Sequence, residues 1–510
     1  MKLIFKIAWR NIMRHKGKSF VIGSILFLGA LLMTIGNGVI SGMDRGMQEN
    51  IINGFTGDLI IVSKDQQSDN VLLEMMGRPI EAIYNYKAID SLLKTLDYIE
   101  KYLPLGKNAA MVINEEGGAP GYAYLLGVDF KRYYEMFPKS LTMLEGRTVA
   151  PGEKGVLIPT GARKEMFSYT NLWYSCEDCP LDTTHMTPEA REVRTSLIYK
   201  DNVVFMGVSA DNTSTDVRLG IKGIVKYSAL NSIWGSFVTM DIESYRRCLG
   251  YFTSADQTEL SDEEESLLSS ESEDLDALFS SDIFTEDALS KTPVTPLELS
   301  SDDEKITGEE SADLDAGAYN MVLVLLKDHR NLDKTLAKVN STLDESGLNV
   351  RAVSWKKAVG TLGSMATLIK ASLFVFVMFL FIVAIIIIVN TLSMAALERT
   401  SEIGMMRAVG ARKGFITSMF LGETALLSFF FGGLGIAVGI VVVQILSAMK
   451  IKSSNEMAQL LFGGESFQPF LSGSDLVTAM IQLALVTIIA VVYPVLIARK
   501  ITPLDAIARD

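Results

Sequence analysis

Histidine and cysteine are scarce in this chain, with three of each among 510 residues. That scarcity closes off most metal and nucleophile chemistry. His15 lies beside the first apolar run, far along the chain from His185 and His329. The close thiol pair, Cys176 and Cys179 in Cys-Glu-Asp-Cys, has only His185 nearby and Cys248 at a distance, too few ligands for a four-coordinate zinc site. A redox-active pair and half of a zinc site stay open as readings. A local disulfide in an oxidising compartment is the plainer one. The chain also lacks a G-x-x-x-x-G-K-[ST] phosphate loop and an H-E-x-x-H helix. It offers no catalytic constellation, no metal site and no cofactor site of its own, which argues against an enzyme.

Basic surplus is missing as well, since the formal net charge is -13. The acidity is local: 254–317 holds 21 acidic residues against two lysines, about -19, which leaves the remainder near +6. Nothing here calls for a nucleic-acid partner or a cationic substrate. Ser, Asp, Glu, Thr and Leu dominate 254–317, with too few large apolar residues to offset an ordering cost of roughly 1–2 kcal/mol per residue. A disordered insertion between two strands is expected, with a docking tail for a basic partner or a cation sponge as the functional alternatives.

What the chain has is apolar residues in blocks. Hydrophobic residues make up 48% and charged ones 21%, too apolar for a soluble enzyme and too charged for membrane helices alone. Runs at 19–43, 371–396, 416–446 and 476–498 each reach the roughly 20 residues that cross a hydrocarbon core. The first follows a basic amphipathic stretch, 1–18, with Lys2, Lys6, Arg10, Arg14, Lys16 and Lys18. It is longer than a signal-peptide core and reads as an uncleaved anchor. Arg399, Arg407, Arg412 and Lys413 in the 397–415 connection, with Arg499, Lys500 and Arg509 in the 499–510 tail, place both termini and that connection in the cytoplasm. The 44–365 segment and the 447–473 loop then lie outside.

Within 44–365, short strands are expected at Asp58–Ser63, Ala109–Ile113, Tyr122–Val128, Gly155–Pro159, Tyr319–Leu326 and Asn349–Val353, and helices at Ala88–Ile99 and Leu332–Leu343. The fold class is membrane α-helical, four transmembrane helices with a large α+β extracytoplasmic domain between spans 1 and 2.

The 397–415 connection carries the most information. In Ala396–Ile416, Glu398 and Glu402 share a helical face, Ile403 and Met406 are apolar, and Arg407, Arg412 and Lys413 follow, with Gly410 and Gly414 permitting the turn into span 3. A charged helix gripped between two spans is a lever for a partner protein. Elsewhere, Gly38, Gly42 and Gly46 at the outer end of span 1, and Gly435 and Gly439 in span 3, permit close helix approach, either of another helix or within the chain. Glu423 lies about two turns into span 3, where a lone carboxylate costs about 3 kcal/mol or more. A structural pairing with basic residues is expected there, with proton coupling as the alternative.

The pattern E-R-x-x-E-I-G-x-x-R-A-x-G-A from Glu398 to Ala411 resembles the signature of the four-span ABC permeases, the family of lipoprotein-releasing, macrolide-exporting and cell-division permeases. Ala8-Trp9-Arg10-Asn11 and Thr502-Pro503-Leu504-Asp505-Ala506 are similar to the family's ends, and Gly146–Gly161 and Gly207–Val225 look like its periplasmic domain. The resemblance implies an inner-membrane, multi-pass subunit without catalysis of its own, working with a stand-alone ABC ATPase dimer that binds ATP and Mg, and with a second permease, the same or related. Glu398, Arg399, Glu402, Ile403, Gly404, Met406, Arg407, Gly410 and Arg412 would form the coupling contact with the ATPase. Cell-division permeases have a smaller external domain, detoxification permeases more spans, and the macrolide exporter its ATPase on the same chain. The resemblance is therefore nearest to the lipoprotein-releasing class, which implies lipid-anchored protein substrates, lateral entry between spans and a periplasmic carrier or adaptor. Tripartite efflux of peptides or amphiphilic drugs, and a scaffold that activates a cell-wall hydrolase, are the alternatives.

Overall fold

The computed structural model describes residues 2–500 apart from 15, 74–78, 178, 180–185, 194, 196, 209–212, 229, 252–312, 330, 454–457, 460–461 and 463–465. His15, His185, the Thr502–Ala506 motif and most of the acidic insertion lie outside the described residues. The insertion's expected end at Gly317 is corrected. Asp313 pairs with Lys87 at 2.8 Å and Asp315 takes two hydrogen bonds from Arg132, at 2.6 and 2.8 Å, so 313–317 belongs to the folded domain.

Among the described residues, four helices are long and apolar enough to cross a membrane: Ser19–Thr56, Gly363–Glu398, Lys413–Ala448 and Gly473–Arg499. The first does not stop at residue 43. It continues through Met47 into a wide π-helical turn, Gln48–Thr56, and ends at Gly57, whose φ of 68° ends the helix. The sequence gives no break there because Asp44, Arg45 and Glu49 are as compatible with helix as the apolar run, and polarity was mistaken for an end.

The domain between spans 1 and 2 is built on a ten-stranded mixed sheet. Its strands are β1 (Leu59–Ser63), β2 (Ile99–Val112), β3 (Gly121–Val128), β4 (Leu141–Gly146), β5 (Val156–Pro159), β8 (Asn202–Val208), β9 (Ser214–Tyr227), β10 (Phe237–Asp241), β11 (Met321–Leu326) and β12 (Val350–Ser354), while β6 (Leu172–Tyr174) and β7 (Ile198–Lys200) pair apart from it. The order is β12-β1-β11-β2-β3-β10-β5-β9-β4, with β8 alongside β2 and β9. The β10–β3 and β5–β9 pairs are parallel and the rest antiparallel. Strand alternation sends Leu59 and Ile61 to one apolar core and Ile60 and Val62 to the other, one on each face of the sheet. Helices Tyr86–Lys94 and Leu332–Glu345 cover the first face. The second is covered partly by span 1 itself, through Met47, Ile51, Ile52 and Phe55, with the Phe55 ring stacked 4.0 Å from that of Trp234.

Both spans therefore enter the domain through neighbouring strands. Span 1 runs into β1, and β12, paired antiparallel to β1, leads through the short helix Trp355–Ala358 and Gly360 into the helix Thr361–Glu398. Gly360 has a φ of 59°, and a Cβ there would fall 2.5 Å from the Asn70 side chain. Two sequence expectations need correcting. The helix expected over Ala88–Ile99 ends at Lys94, because Ile99 already opens β2, and the strand expected at Ala109–Ile113 is only the far end of that 14-residue strand.

Candidate functional site: the connection between spans 2 and 3

Span 2 ends at Glu398, the chain bends at Arg399, and a second helix, Thr400–Ala408, follows. Ile403 is buried in the cluster that holds the four spans together, beside Ile388, Leu392, Ile416 and Phe420. Gly404 is buried next to it. Any displacement of this helix is thus felt directly by the packing between spans 2, 3 and 4. The helix closes with paired bonds, Gly410 N–H to the Arg407 carbonyl at 3.0 Å and Ala411 N–H to the Met406 carbonyl at 2.9 Å. This is a Schellman ending, and it requires the φ of 98° that Gly410 adopts. Arg412 then caps the helix Lys413–Leu427 in extended backbone.

The residues expected at the coupling contact divide into two groups. Arg399, assigned with the others to contact an ATPase, instead turns inward and donates from Nη1 to both oxygens of Glu423, at 3.0 and 2.8 Å. Both side chains are under one tenth exposed. Arg399 and Ile403 are corrected to contacts between spans, and Gly404 is buried beside them. The pairing expected for Glu423 is present, and a desolvated carboxylate in a span is stabilised by such a guanidinium. Glu398, Glu402, Met406, Arg407, Gly410 and Arg412 face outward wholly or in part.

Two features of this region were not legible in the sequence. Glu402 meets Arg14 at 3.3 Å, and the N-terminal helix Lys2–Arg14 packs on Lys413–Leu427, so that helix is tied to the connection. Nothing in the spacing of residues nearly 390 apart signals that pair. The other feature is an open concavity of about 920 Å³ lined by Met405, Met406, Val409, Gly410, Ala411, Arg412, Gly414 and Phe415. Val409 is 91% exposed and Met405 63%. Apolar side chains so placed, rimmed by charge, mark an interaction surface. Their apolarity was the available signal, overshadowed by the charged residues between them.

The glycines pack within the chain. A Cβ on Gly435 would lie 2.4 Å from the Phe27 carbonyl oxygen, and one on Gly439 2.8 Å from Thr34, so spans 1 and 3 touch there. Gly38 and Gly42 face Val443, Leu471 and the Gln468–Pro469 backbone of the loop after span 3. Gly46 lines a polar cavity with Arg45 and Phe470 beside the same loop. These contacts within the chain account for the glycines without a helix from another subunit. Outside the membrane, Cys176 and Cys179 are joined by a disulfide with their Cα atoms 5.4 Å apart, and burial pushes the Cys248 thiol up to about 12.

The FtsX-like permease C-terminal family matches residues 374–503, spans 2 to 4 with the connection just described. Over that stretch, about a quarter of its length, the chain is similar to FtsX-like permeases. An uncharacterised ABC transporter permease of Methanocaldococcus jannaschii is 24% identical over 38% of this chain and 46% of its own length. The macrolide export ATP-binding/permease protein MacB of Psychrobacter arcticus is 28% identical over 24% of this chain and 16% of its own. The match thus spans less than half the length of either curated relative. The periplasmic region of MacB from Actinobacillus actinomycetemcomitans aligns with 61% of this chain and 94% of its own, at 11% identity and a TM-score of 0.28.

Proposed function

We propose that this chain acts as an FtsX-like permease that couples ATP turnover on a partner ATPase dimer to movement of its sheet domain, and so exports an amphiphilic cargo. In this reading the chain has no ATPase of its own and pairs with a second permease. Both termini and the 398–415 connection face the cytoplasm and the sheet domain faces outward, as the basic residues around Arg407 and Arg412 favour. One observation carries the reading: the connection presents an exposed apolar concavity on one side and buries Ile403 among the spans on the other. Pressure on Val409 and Met405 is transferred to spans 2 and 3. Span 2 continues into β12 and span 1 into β1, so relative movement of the two helices shears the edge of the sheet.

For the cargo, the similarity to the macrolide export ATP-binding/permease protein MacB favours export of a macrolide-like amphiphile. Release of lipid-anchored proteins to a carrier is the second reading, favoured by the signature from Glu398 to Ala411. The test is purification of the tagged chain from membranes in mild detergent, with mass spectrometry of its companions. Val409→Asp places a charge on a side chain that touches little, so the chain should fold normally and lose the co-purifying ATPase. An ATPase retained at parental levels would sink the coupling assignment. An adaptor among the companions favours export, and acylated proteins favour lipoprotein release.

A further inference from the structure

A second cavity, of about 580 Å³, lies where spans 1 and 2 meet the domain, within the usual size range of small-molecule sites, about 300–1,000 Å³. Span 1 contributes Asp44, Met47, Gln48 and Ile52, just past its apolar run, and span 2 contributes Thr367, just before its own. The floor therefore sits where both helices leave the hydrocarbon, at the level of lipid headgroups. Its back wall is Asp58, whose carboxylate is fixed by the Leu326 N–H at 2.8 Å and by His329 Nδ1 at 2.8 and 2.9 Å. Trp355 and Leu332 add apolar surface, and Asp333, Lys334 and Lys356 complete the lining.

The lining carries both signs of charge in near balance. Lys334 and Lys356 are exposed and form no ion pair or hydrogen bond with any other described residue. Lower between the same two helices runs an apolar groove of about 240 Å³, lined by Leu28, Leu32, Val377, Phe381 and their neighbours. From Asp44 to Leu32 is twelve residues, about 18 Å along a helix, so the groove lies near the middle of a hydrocarbon core about 30 Å thick.

We propose that the junction cavity binds the headgroup of a zwitterionic phospholipid of the adjoining leaflet. Its phosphate meets Lys334 and Lys356, and its ammonium turns toward Asp44 and Asp333. The lipid wedges between spans 1 and 2 where they join β1 and β12, so its presence biases the angle between them.

Native mass spectrometry of the full chain, released from vesicles of mixed phosphatidylethanolamine and phosphatidylglycerol, tests this. The expected result is a retained phosphatidylethanolamine adduct, reduced about tenfold in K334Q/K356Q, a factor corresponding to about 1.4 kcal/mol. Both lysines are exposed, so the double variant should unfold at the parental temperature, and that is measured alongside. Equal retention by parent and double variant would overturn the proposal, as would preference for phosphatidylglycerol. Soluble glycerophosphoethanolamine displacing the lipid at equal concentration would also overturn it, assigning the cavity to a free phosphate compound.

Discussion

Arg399 and Glu423 show how much one side chain decides in this membrane core. Each is enclosed by apolar neighbours, so removing one strands the other charge, a loss of about 3–5 kcal/mol, whereas replacing both with apolar groups leaves nothing unpaired. Glu423→Leu should lower the unfolding temperature in detergent sharply, and Arg399→Met/Glu423→Leu should restore most of it. A double variant no better than the single would show that the pair is not an isolated unit. The need of Glu423 for a cation was legible from its place in an apolar run. Which of several arginines answers it was not, because the bend at Arg399 that turns it inward is a tertiary feature. Outside the membrane, Glu153 accepts two hydrogen bonds from Arg147, at 2.7 and 2.6 Å, which lower its carboxyl from 4.5 to about 2. A depressed folded value stabilises the fold above the unfolded value and loses that contribution as pH falls. Glu153→Gln should therefore be less stable than the parent at pH 6, and the two unfolding temperatures should converge as pH drops from about 4.5 toward about 2. A gap that stays constant over that range would refute the pairing.

Among the elements, span 1 carries the strongest mechanical constraint. Its helix passes without a break from the membrane into the apolar core below the sheet, ending at Thr56. Gln48→Pro removes an N–H and sets the ring against the carbonyl of Asp44, at a local cost of about 3 kcal/mol or more. The ATPase should still co-purify, since the 398–415 connection is untouched, while transport into vesicles falls to background. Normal transport would show that the helix need not be stiff. Strands rich in β-branched residues, β1, β11 and β12, were legible in the sequence. The first ten residues of β2, Ile99–Asn108, were not, because Pro104, Lys107 and Asn108 interrupt an apolar strand pattern. Lys107 and Asn108 are in fact buried, with Asn108 bonded to the Ile80 N–H and the Tyr251 hydroxyl. β9 escaped because charged residues, Asp216, Arg218, Lys222 and Lys226, alternate with its buried positions and dilute its apolar face.

Taken whole, the molecule is a sheet hung from two helices by adjacent strands, with Gly360 at the second attachment. A side chain there would meet Asn70 and hold backbone that L residues disfavour by about 1–2 kcal/mol. Gly360→Val should leave the spans and the ATPase contact intact and change the coupling: ATP hydrolysis persists while transport is lost. Parallel loss of both activities would place the defect elsewhere. The four spans and the signature were legible in the sequence, whereas the cargo was not, because no residue pattern between 44 and 365 encodes a ligand. The same attachment also governs how the protein is made. β1 pairs with β11 and β12, about 260 to 295 residues later in the chain. At roughly 5–20 residues per second of synthesis, β1 waits about 15–60 s for its last partner. Throughout that interval span 1 is already made, and the apolar Leu59–Val62 edge has no neighbour. The fold therefore leaves an apolar strand waiting during synthesis, a window in which it is open to mispairing.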